Sequence, residues 1–124
     1  EMIEMGKRQY ILKKILPESD DADLFGYSAA QYAATMNAEQ NIWNYLLKMN
    51  LVYSKDPKVT SQLLSEGPFS IYFGNDIPGN VGVFIGAQII NSWMKQQSEQ
   101  DQSNLIALLQ MPAEKIFAES KYKP

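Results

Sequence analysis

The sequence predicts an all-α fold, an irregular multi-helix domain with a single extended segment. Apolar residues recur three and four positions apart along most of the chain, which is the spacing of one helix face. Prolines, glycines and capping residues bound these stretches, and only residues 69–74 have the composition of a strand. The 124 residues can bury a core of their own, so we expect one helical domain over residues 1–124.

The first helix is predicted over residues 1–16. Four apolar side chains share one stripe and should form its buried face: Met2, Met5, Leu12 and Leu16. Pro17 ends the helix, and two lysines in its last turn suit the negative end of the helix dipole. The acidic residues 18–23 that follow are predicted to form a loop.

A long helical segment is predicted over residues 28–49. Ser28 begins it with the pattern of a capping box, because Gln31 follows three residues later. Asn37 and Gln40 repeat this pattern, so the segment is either one helix or two helices with a break between them.

The next helix is predicted over residues 57–66, where Pro57 begins it and Gly67-Pro68 ends it. The aromatic segment that follows is predicted to be extended rather than part of a sheet. Aromatic residues more often belong to a core, but an irregular segment is the place where some are expected at the surface. The sequence therefore places a candidate partner surface at Phe69, Tyr72, Phe73 and Asp76.

The helix predicted over residues 81–97 is the most informative element. Its first half is apolar on every side and should run through the middle of the domain. Asn80 is predicted to cap it with its side chain. Gly82 and Gly86 share one face, which would let another backbone approach closely. An anion site at this glycine-rich start is less favoured, because the Lys–Ser/Thr pair of a phosphate-binding loop is absent.

Two short helices are predicted to close the chain after a polar, glutamine-rich connection. The first carries Leu105, Leu108 and Leu109 on one face. The second, over residues 112–120, should turn Ile116 and Phe117 inward.

The amino-acid composition excludes several classes of function. The chain contains no His and no Cys, which removes a Ser–His–Asp triad, a His general base, thiol catalysis and His- or Cys-ligated metals from these residues. The net charge of -3 argues against nucleic-acid binding, which normally involves clustered Lys and Arg. The longest apolar run, residues 81–90, is shorter than the ~20 residues of a membrane span. Because the sequence starts at Glu1 without a leader, we expect a fragment of a longer protein.

Two acidic patterns suggest sites, and neither is favoured. Asp21, Asp23 and Gly26 have the offsets of a calcium loop. However, Phe25 and Tyr32 stand where that loop needs oxygen ligands, so a solvated loop is the preferred interpretation. The 14 acidic residues also give many chance carboxylate pairs, which do not by themselves indicate a glycosidase.

Several sequence blocks follow one another in a characteristic order. They include Met2-Ile3-x-x-Gly6-Lys7, Gly26-Tyr27-Ser28, Glu39-x-x-Ile42-Trp43 and Ser120-Lys121-Tyr122-Lys123-Pro124. The longest block contains seven residues that we interpret as structural: Pro78, Gly79, Gly82, Gly86, Gln88, Trp93 and Met94. In this order the blocks resemble the GldB-like gliding-motility lipoproteins of Bacteroidetes over essentially the whole chain.

The resemblance implies a membrane-anchored lipoprotein that faces the periplasm. Its lipid anchor would lie outside this chain, and its partners would be other envelope proteins rather than nucleic acid. The family also resembles zinc peptidases with a His-Glu-x-x-His motif, which would make this chain the C-terminal part of a zincin-like scaffold.

A zinc site on this scaffold would take one glutamate from a later helix. The matching position here is Met5, whose thioether is a poor substitute for a carboxylate, and the neighbouring Glu4 points elsewhere on the helix. Glu39 is the remaining, weak metal candidate. A first-turn glutamate that stabilises a helix N-terminus is the favoured interpretation of Glu39.

We therefore predict a non-catalytic domain without a cofactor in this chain, acting through protein–protein interactions in the cell envelope. The alternative is the C-terminal half of a zinc peptidase whose His-Glu-x-x-His motif lies upstream. A third hypothesis is a peptide- or glycan-binding module that uses the aromatic segment 69–73.

Overall fold

The computed structural model describes residues 2–52, 54–64, 73, 77–97 and 102–124, with the backbone alone for residues 102–105. Within these ranges the chain is all-α, as predicted, and has no strand. The helices are α1 (Met2–Ile15), α2 (Asp21–Phe25), α3 (Ala29–Lys48), α4 (Pro57–Leu64), α5 (Val81–Lys95), α6 (Gln102–Gln110) and α7 (Ala113–Ser120). Of the predicted extended segment, only Phe73 lies within the described residues.

Helix α5 runs through the centre of the fold. Every residue from Val81 to Ala87 is buried, which confirms the prediction made from its all-round apolar composition. Further along, Ile89 and Trp93 are buried, whereas Gln88 and Asn91 reach toward solvent. Helix α1 packs along α5 more extensively than any other helix does, and α7 and α4 flank it.

Helices α1 and α5 touch at a pair of glycines. A Cβ placed on Gly86 would overlap the carbonyl group of Met2, and a Cβ placed on Gly6 would overlap the carbonyl group of Gly86. This contact offsets the propensity cost of a helical glycine, about 1 kcal/mol relative to alanine. Gly82 meets a different helix, since a Cβ there would lie 2.8 Å from the carbonyl oxygen of Leu63 in α4. The expectation that one backbone approaches both Gly82 and Gly86 is wrong, because two helices cross α5 at different heights.

The buried face of α1 differs from the predicted stripe. Met2, Ile3 and Gly6 are buried, whereas Leu16 is 45% exposed. The close glycine contact decides which side of α1 faces α5, and the spacing of apolar residues does not reveal that contact.

Lys7 is also buried on the inner face of α1. Its Nζ donates to the carbonyl oxygen of Met111 at 2.8 Å and to Glu4 Oε1 at 3.1 Å. A buried ammonium group needs such partners, because removing a charge from water is costly. Lys7 thereby ties α1 to the connection between α6 and α7.

The two predicted N-caps have opposite outcomes. The capping box of α3 is confirmed: Ser28 Oγ accepts from the Gln31 N–H at 3.1 Å, and Gln31 Oε1 accepts from the Ser28 N–H at 2.9 Å. Helix α3 continues unbroken through Asn37, so the segment is one helix. The predicted Asn80 cap is wrong, because at φ -91° and ψ 33° its side chain makes no capping hydrogen bond. The carbonyl oxygen of Asn80 instead accepts from the Tyr27 hydroxyl at 3.4 Å.

The acidic segment forms the short helix α2 and not the predicted loop. Asp21 and Asp23 lie in its first turn, where carboxylates suit the positive end of the helix dipole. Gly26 ends it in the left-handed conformation, at φ 76°. Lys13 of α1 forms an ion pair with Asp21 at 3.2 Å. The calcium-like pattern is therefore explained by the two ends of a helix.

The closing helices agree with the predicted order. Ile116 of α7 is fully buried, and Phe117 is partly buried against the same core, as expected. In α6, Leu108 is fully buried but Leu109 is 51% exposed, so the predicted leucine face is correct only in part. Lys121 follows α7 in the left-handed conformation and redirects the last residues toward α3.

Candidate functional site

The predicted partner surface lies mostly outside the described residues, since these do not include Phe69, Tyr72 or Asp76. Phe73 is partly buried, and its ring packs edge-on against Tyr45 with the centroids 5.2 Å apart. A role for this surface in binding a partner therefore stays a prediction.

The motif residues of the longest block lie in α5 and just before it. Six of them are buried: Pro78, Gly79, Gly82, Gly86, Trp93 and Met94. Trp93 Nε1 donates to Glu119 Oε1 at 3.1 Å, which links α5 to α7. Gln88 differs from the others, because it is partly exposed and its side chain reaches α3.

Glu39 lies in the middle of α3 and faces α5. Its interpretation as a first-turn residue is wrong, because α3 begins at Ala29. Glu39 Oε1 accepts a hydrogen bond from Gln88 Nε2 at 3.2 Å, and Oε2 accepts one from the Tyr122 hydroxyl at 2.7 Å. Both carboxylate oxygens thus join α3 to other parts of the fold.

A tight turn after α7 brings Tyr122 back to α3. Lys121 has φ 55°, a left-handed conformation that costs a non-glycine residue roughly 1–2 kcal/mol. The turn is held by Ser120, whose Oγ accepts from the Tyr122 N–H at 3.2 Å and whose carbonyl oxygen accepts from Ser92 Oγ at 2.6 Å. The Tyr122 ring packs edge-on against Trp43, with a centroid distance of 4.9 Å.

The Tyr122 hydroxyl remains protonated far above neutral pH. Burial is the largest cause that raises the pKa of Tyr122 above its usual range, and the hydrogen bond and negative charge of Glu39 raise it further. The phenol is therefore a permanent donor, and a hydrogen bond to a charged group contributes roughly 1.5–3 kcal/mol. We call this Glu39–Tyr122 pair the clasp.

A polar cavity of about 450 Å³ opens beside the clasp, and we call it the Glu39 cleft. Its lining includes carboxylate, amide, hydroxyl and ammonium groups, from Glu39, Gln88, Asn91, Lys95, Lys121, Tyr122 and Lys123. The volume lies in the range of small-ligand sites in proteins. A larger cavity, of about 650 Å³, has a more apolar lining that includes Met2, Ile3 and Ile89. The Glu39 cleft is the candidate site because its lining instead brings a carboxylate, amides and ammonium groups together.

The lining of the Glu39 cleft does not fit a zinc ion. Zinc takes thiolate, imidazole or carboxylate ligands, and the only such group in this lining is Glu39. Both Glu39 oxygens already accept hydrogen bonds, and the ammonium groups of the cleft would repel a cation. Across the described ranges, no three acidic side chains converge to hold a metal. No catalytic step through zinc is derived from these residues.

Sequence reasoning did not find the link among Glu39, Gln88 and Tyr122. The sequence places Gln88 and Tyr122 in separate blocks, and their contacts with Glu39 span 49 and 83 residues. No local spacing signals pairs so far apart. One usable signal was Gln88 itself, the first polar residue of α5 after seven residues that are apolar or glycine.

The fold and the site together define an all-helical domain with a buried central helix and a polar cleft beside an internal clasp. The family model described as gliding motility protein GldB matches residues 1–124, and the chain belongs to this family, as the sequence blocks predict. Neither the curated proteins nor the solved structures contain a match. Membership of this lipoprotein family indicates a membrane-anchored envelope protein. Within the described ranges, no helix has the length and hydropathy to cross a membrane.

Proposed function

We propose that this chain is a non-catalytic, periplasm-facing domain of a GldB-family lipoprotein and acts through protein–protein interactions in the cell envelope. Family membership supports the envelope location and the association with gliding motility. The lipid anchor belongs to a part of the protein outside this chain. The partners are other envelope proteins, and the chain itself uses no cofactor.

The observation that carries the non-catalytic role is the clasp. Glu39 is the remaining, weak candidate for a metal ligand, and both its oxygens accept internal hydrogen bonds. Its donors, Tyr122 and Gln88, come from two other parts of the chain. Glu39 therefore serves to hold α3, α5 and the segment after α7 together.

The first test is the zinc content of the full-length protein, measured by mass spectrometry after dialysis against trace zinc. We expect no stoichiometric zinc in the wild type or in Glu39→Gln. Stoichiometric zinc that is lost in Glu39→Gln would overturn the non-catalytic assignment, and a peptidase assay would follow.

A second test separates a structural Glu39 from a reacting one in living cells. Glutamine at position 39 can still accept from the Tyr122 hydroxyl and bond the Gln88 amide, whereas leucine can do neither. We expect Glu39→Gln to restore motility to a deletion strain, and Glu39→Leu to restore it poorly with a lower protein level. Complete loss of motility in Glu39→Gln at normal protein level would show that the carboxylate itself acts.

The alternative function is the C-terminal half of a zinc peptidase. The position of Glu39 in the wall of a cavity favours it, because a metal held by an upstream His-Glu-x-x-His motif would need such an opening. Two histidines at that spacing in the upstream sequence, together with stoichiometric zinc, would support this alternative. Their absence would favour the interaction domain.

A further inference from the structure

The Glu39 cleft is one half of a longer surface. A second cavity of about 370 Å³ lies between α1, α2 and α5. The two cavities share Tyr10, Gln88 and Asn91, so they form one groove along the polar side of α5, which we call the α5 groove. Its far end is lined by apolar and aromatic side chains, including Leu24, Phe25 and Tyr32.

The α5 groove concentrates positive charge in a protein whose net charge is -3. Five of the 11 basic residues line it: Lys13, Lys14, Lys95, Lys121 and Lys123. Of the nine acidic residues that the structure describes, two line the groove, and each has a partner: Asp21 pairs with Lys13, and Glu39 accepts from Tyr122. Such a concentration of one sign attracts a ligand of the opposite sign.

Three of these lysines are available to a ligand. Lys95, Lys121 and Lys123 are exposed, and within the described part of the chain none of them forms an ion pair. All three lie in the Glu39 cleft, at the opposite end of the groove from the apolar side chains. The groove therefore offers one end with three unpaired lysines and another end where apolar side chains lie beside Lys13 and Lys14.

The details of the α5 groove favour a peptide over an anionic saccharide. A saccharide site usually needs an open aromatic face, but Lys14 Nζ lies over the Tyr10 ring, 5.3 Å from its centroid. Gln88 and Asn91 are joined by a 3.5 Å hydrogen bond from Asn91 Nδ2 to Gln88 Oε1, which directs the Asn91 carbonyl oxygen and the second N–H of each amide to the groove as partners for a peptide backbone. One wall of the groove is itself a non-helical peptide segment of this chain, residues 121–124, held by hydrogen bonds to α3 and α5 through Tyr122 and Ser120.

We propose that the α5 groove binds an acidic, extended peptide segment of a partner protein. Carboxylates of the peptide lie against Lys95, Lys121 and Lys123, and an apolar side chain enters the end formed by Leu24, Phe25 and Tyr32. This inference rests on the proposed function, because it assigns the surface and the chemistry through which an envelope protein would be recognised.

The test is selection of a random peptide display library on the full-length protein, followed by affinity measurements on the enriched peptides. We expect the enriched peptides to carry several acidic residues near an apolar one. The double variant Lys95→Glu/Lys123→Glu should bind them about tenfold or more weakly, and binding should weaken with added salt. The matched control Lys48→Glu/Lys58→Glu reverses two exposed lysines outside the groove and should bind within about twofold of the wild type.

Enriched peptides without an acidic excess, no enrichment at all, or equal affinity in the groove variant would each overturn the proposal. An oligogalacturonate probe provides the saccharide arm, and binding of it that is lost in the groove variant, without peptide enrichment, would assign the groove to a saccharide. Cross-linking of the full-length variants in cells separates failure of the proposed interaction function from failure of the groove assignment. If the groove variant still cross-links to envelope proteins while peptide binding fails, the interaction function stands and the groove assignment falls.

Discussion

The two sides of α5 are held in place by different physical means. On the α1 side, Gly6 and Gly86 bring two backbones into direct contact, with no side chain between them. On the α3 side, Gln88 reaches Glu39 through a hydrogen bond beside the Glu39 cleft. The first side depends on shape, where any added atom is harmful. The second depends on hydrogen bonds and charge, where room remains for a ligand.

The largest expected effect is at the glycine contact. In Gly86→Val the new side chain would overlap the carbonyl group of Met2, and a backbone group cannot move aside as a flexible side chain can. We expect the free energy of unfolding to fall by about 3 kcal/mol, as in severely overpacked cores. Urea denaturation measures it.

Gly82→Ala is the matched control for the glycine contact. A Cβ at Gly82 would lie 2.8 Å from the Leu63 carbonyl oxygen, a milder overlap than at Gly86. To compare the same added methyl group at both sites, Gly86→Ala is measured as well. The loss in the free energy of unfolding should be clearly smaller for Gly82→Ala than for Gly86→Ala. Equal stability of wild type and Gly86→Val would show that α1 does not pack on α5 through these glycines.

The second effect concerns Lys7, the charged residue that is buried on the face of α1 toward α5. Lys7→Met keeps most of the side-chain volume but removes the buried ammonium group that donates to the partly buried carbonyl group of Met111. We expect a loss of about 2 kcal/mol in the free energy of unfolding, within the range for an unsatisfied buried group. Lys115→Met removes a 4.0 Å surface ion pair with Glu119 and should change the same quantity by less than about 0.5 kcal/mol. Similar losses in both variants would mean that Lys7 behaves as a surface residue.

The third effect tests the polar side at the clasp. Tyr122→Phe keeps the ring against Trp43 but removes the hydroxyl that donates to Glu39. We expect a loss of about 1.5 kcal/mol, because Glu39 is partly exposed and water can replace part of the bond. In the double variant with Glu39→Gln, the two losses should not add, since both act on one interaction. Additive losses measured in a double-mutant cycle would show that the clasp contributes little.

The smallest effect is a dependence of stability on alkaline pH. The pKa of Tyr122 is raised in the folded protein above its ordinary value of 10.0, so the unfolded chain loses this proton first as pH rises. Stability is therefore fully present below pH 10 and falls above it. Between about pH 9 and pH 11, the titration of Tyr122 should lower the free energy of unfolding by about 1 kcal/mol. This is somewhat less than for a fully buried tyrosine, because part of the ring meets solvent.

Comparison with Tyr122→Phe isolates this contribution from that of Tyr27, whose pKa burial also raises. The variant should lose less stability than the wild type over the same pH interval. Identical pH profiles would contradict a buried, protonated Tyr122.

The sequence was sufficient for features that depend on near neighbours. The capping box at Ser28 and the burial of residues 81–87 could both be predicted from residues close together in the sequence. The buried face of α1 was not predictable in this way, because it depends on Gly6 meeting Gly86 rather than on apolar spacing. The Asn80 cap failed because its backbone, with ψ 33°, is not in the extended conformation that lets an N-cap side chain reach the free N–H groups of the first turn.

The candidate site was predictable only in fragments. Glu39 was a candidate because it is a carboxylate, but its role depends on a contact with Tyr122, which lies 83 residues away in the sequence. That contact is made possible by Lys121, which adopts a left-handed turn that sequence patterns reserve for glycine or asparagine. The positive charge of the α5 groove is likewise a property of the fold, since its lysines come from three separate stretches of chain.

The contact between Gly6 and Gly86 also bears on how the chain is made. A ribosome releases α1 long before it releases α5, and for that interval the inner face of α1 has no surface to pack on. Contacts between residues so distant in the chain form slowly, because a long loop must close first. We expect α1 to stay undocked until α5 has left the ribosome, and its inner face to be a surface that a chaperone or export factor would cover during that interval.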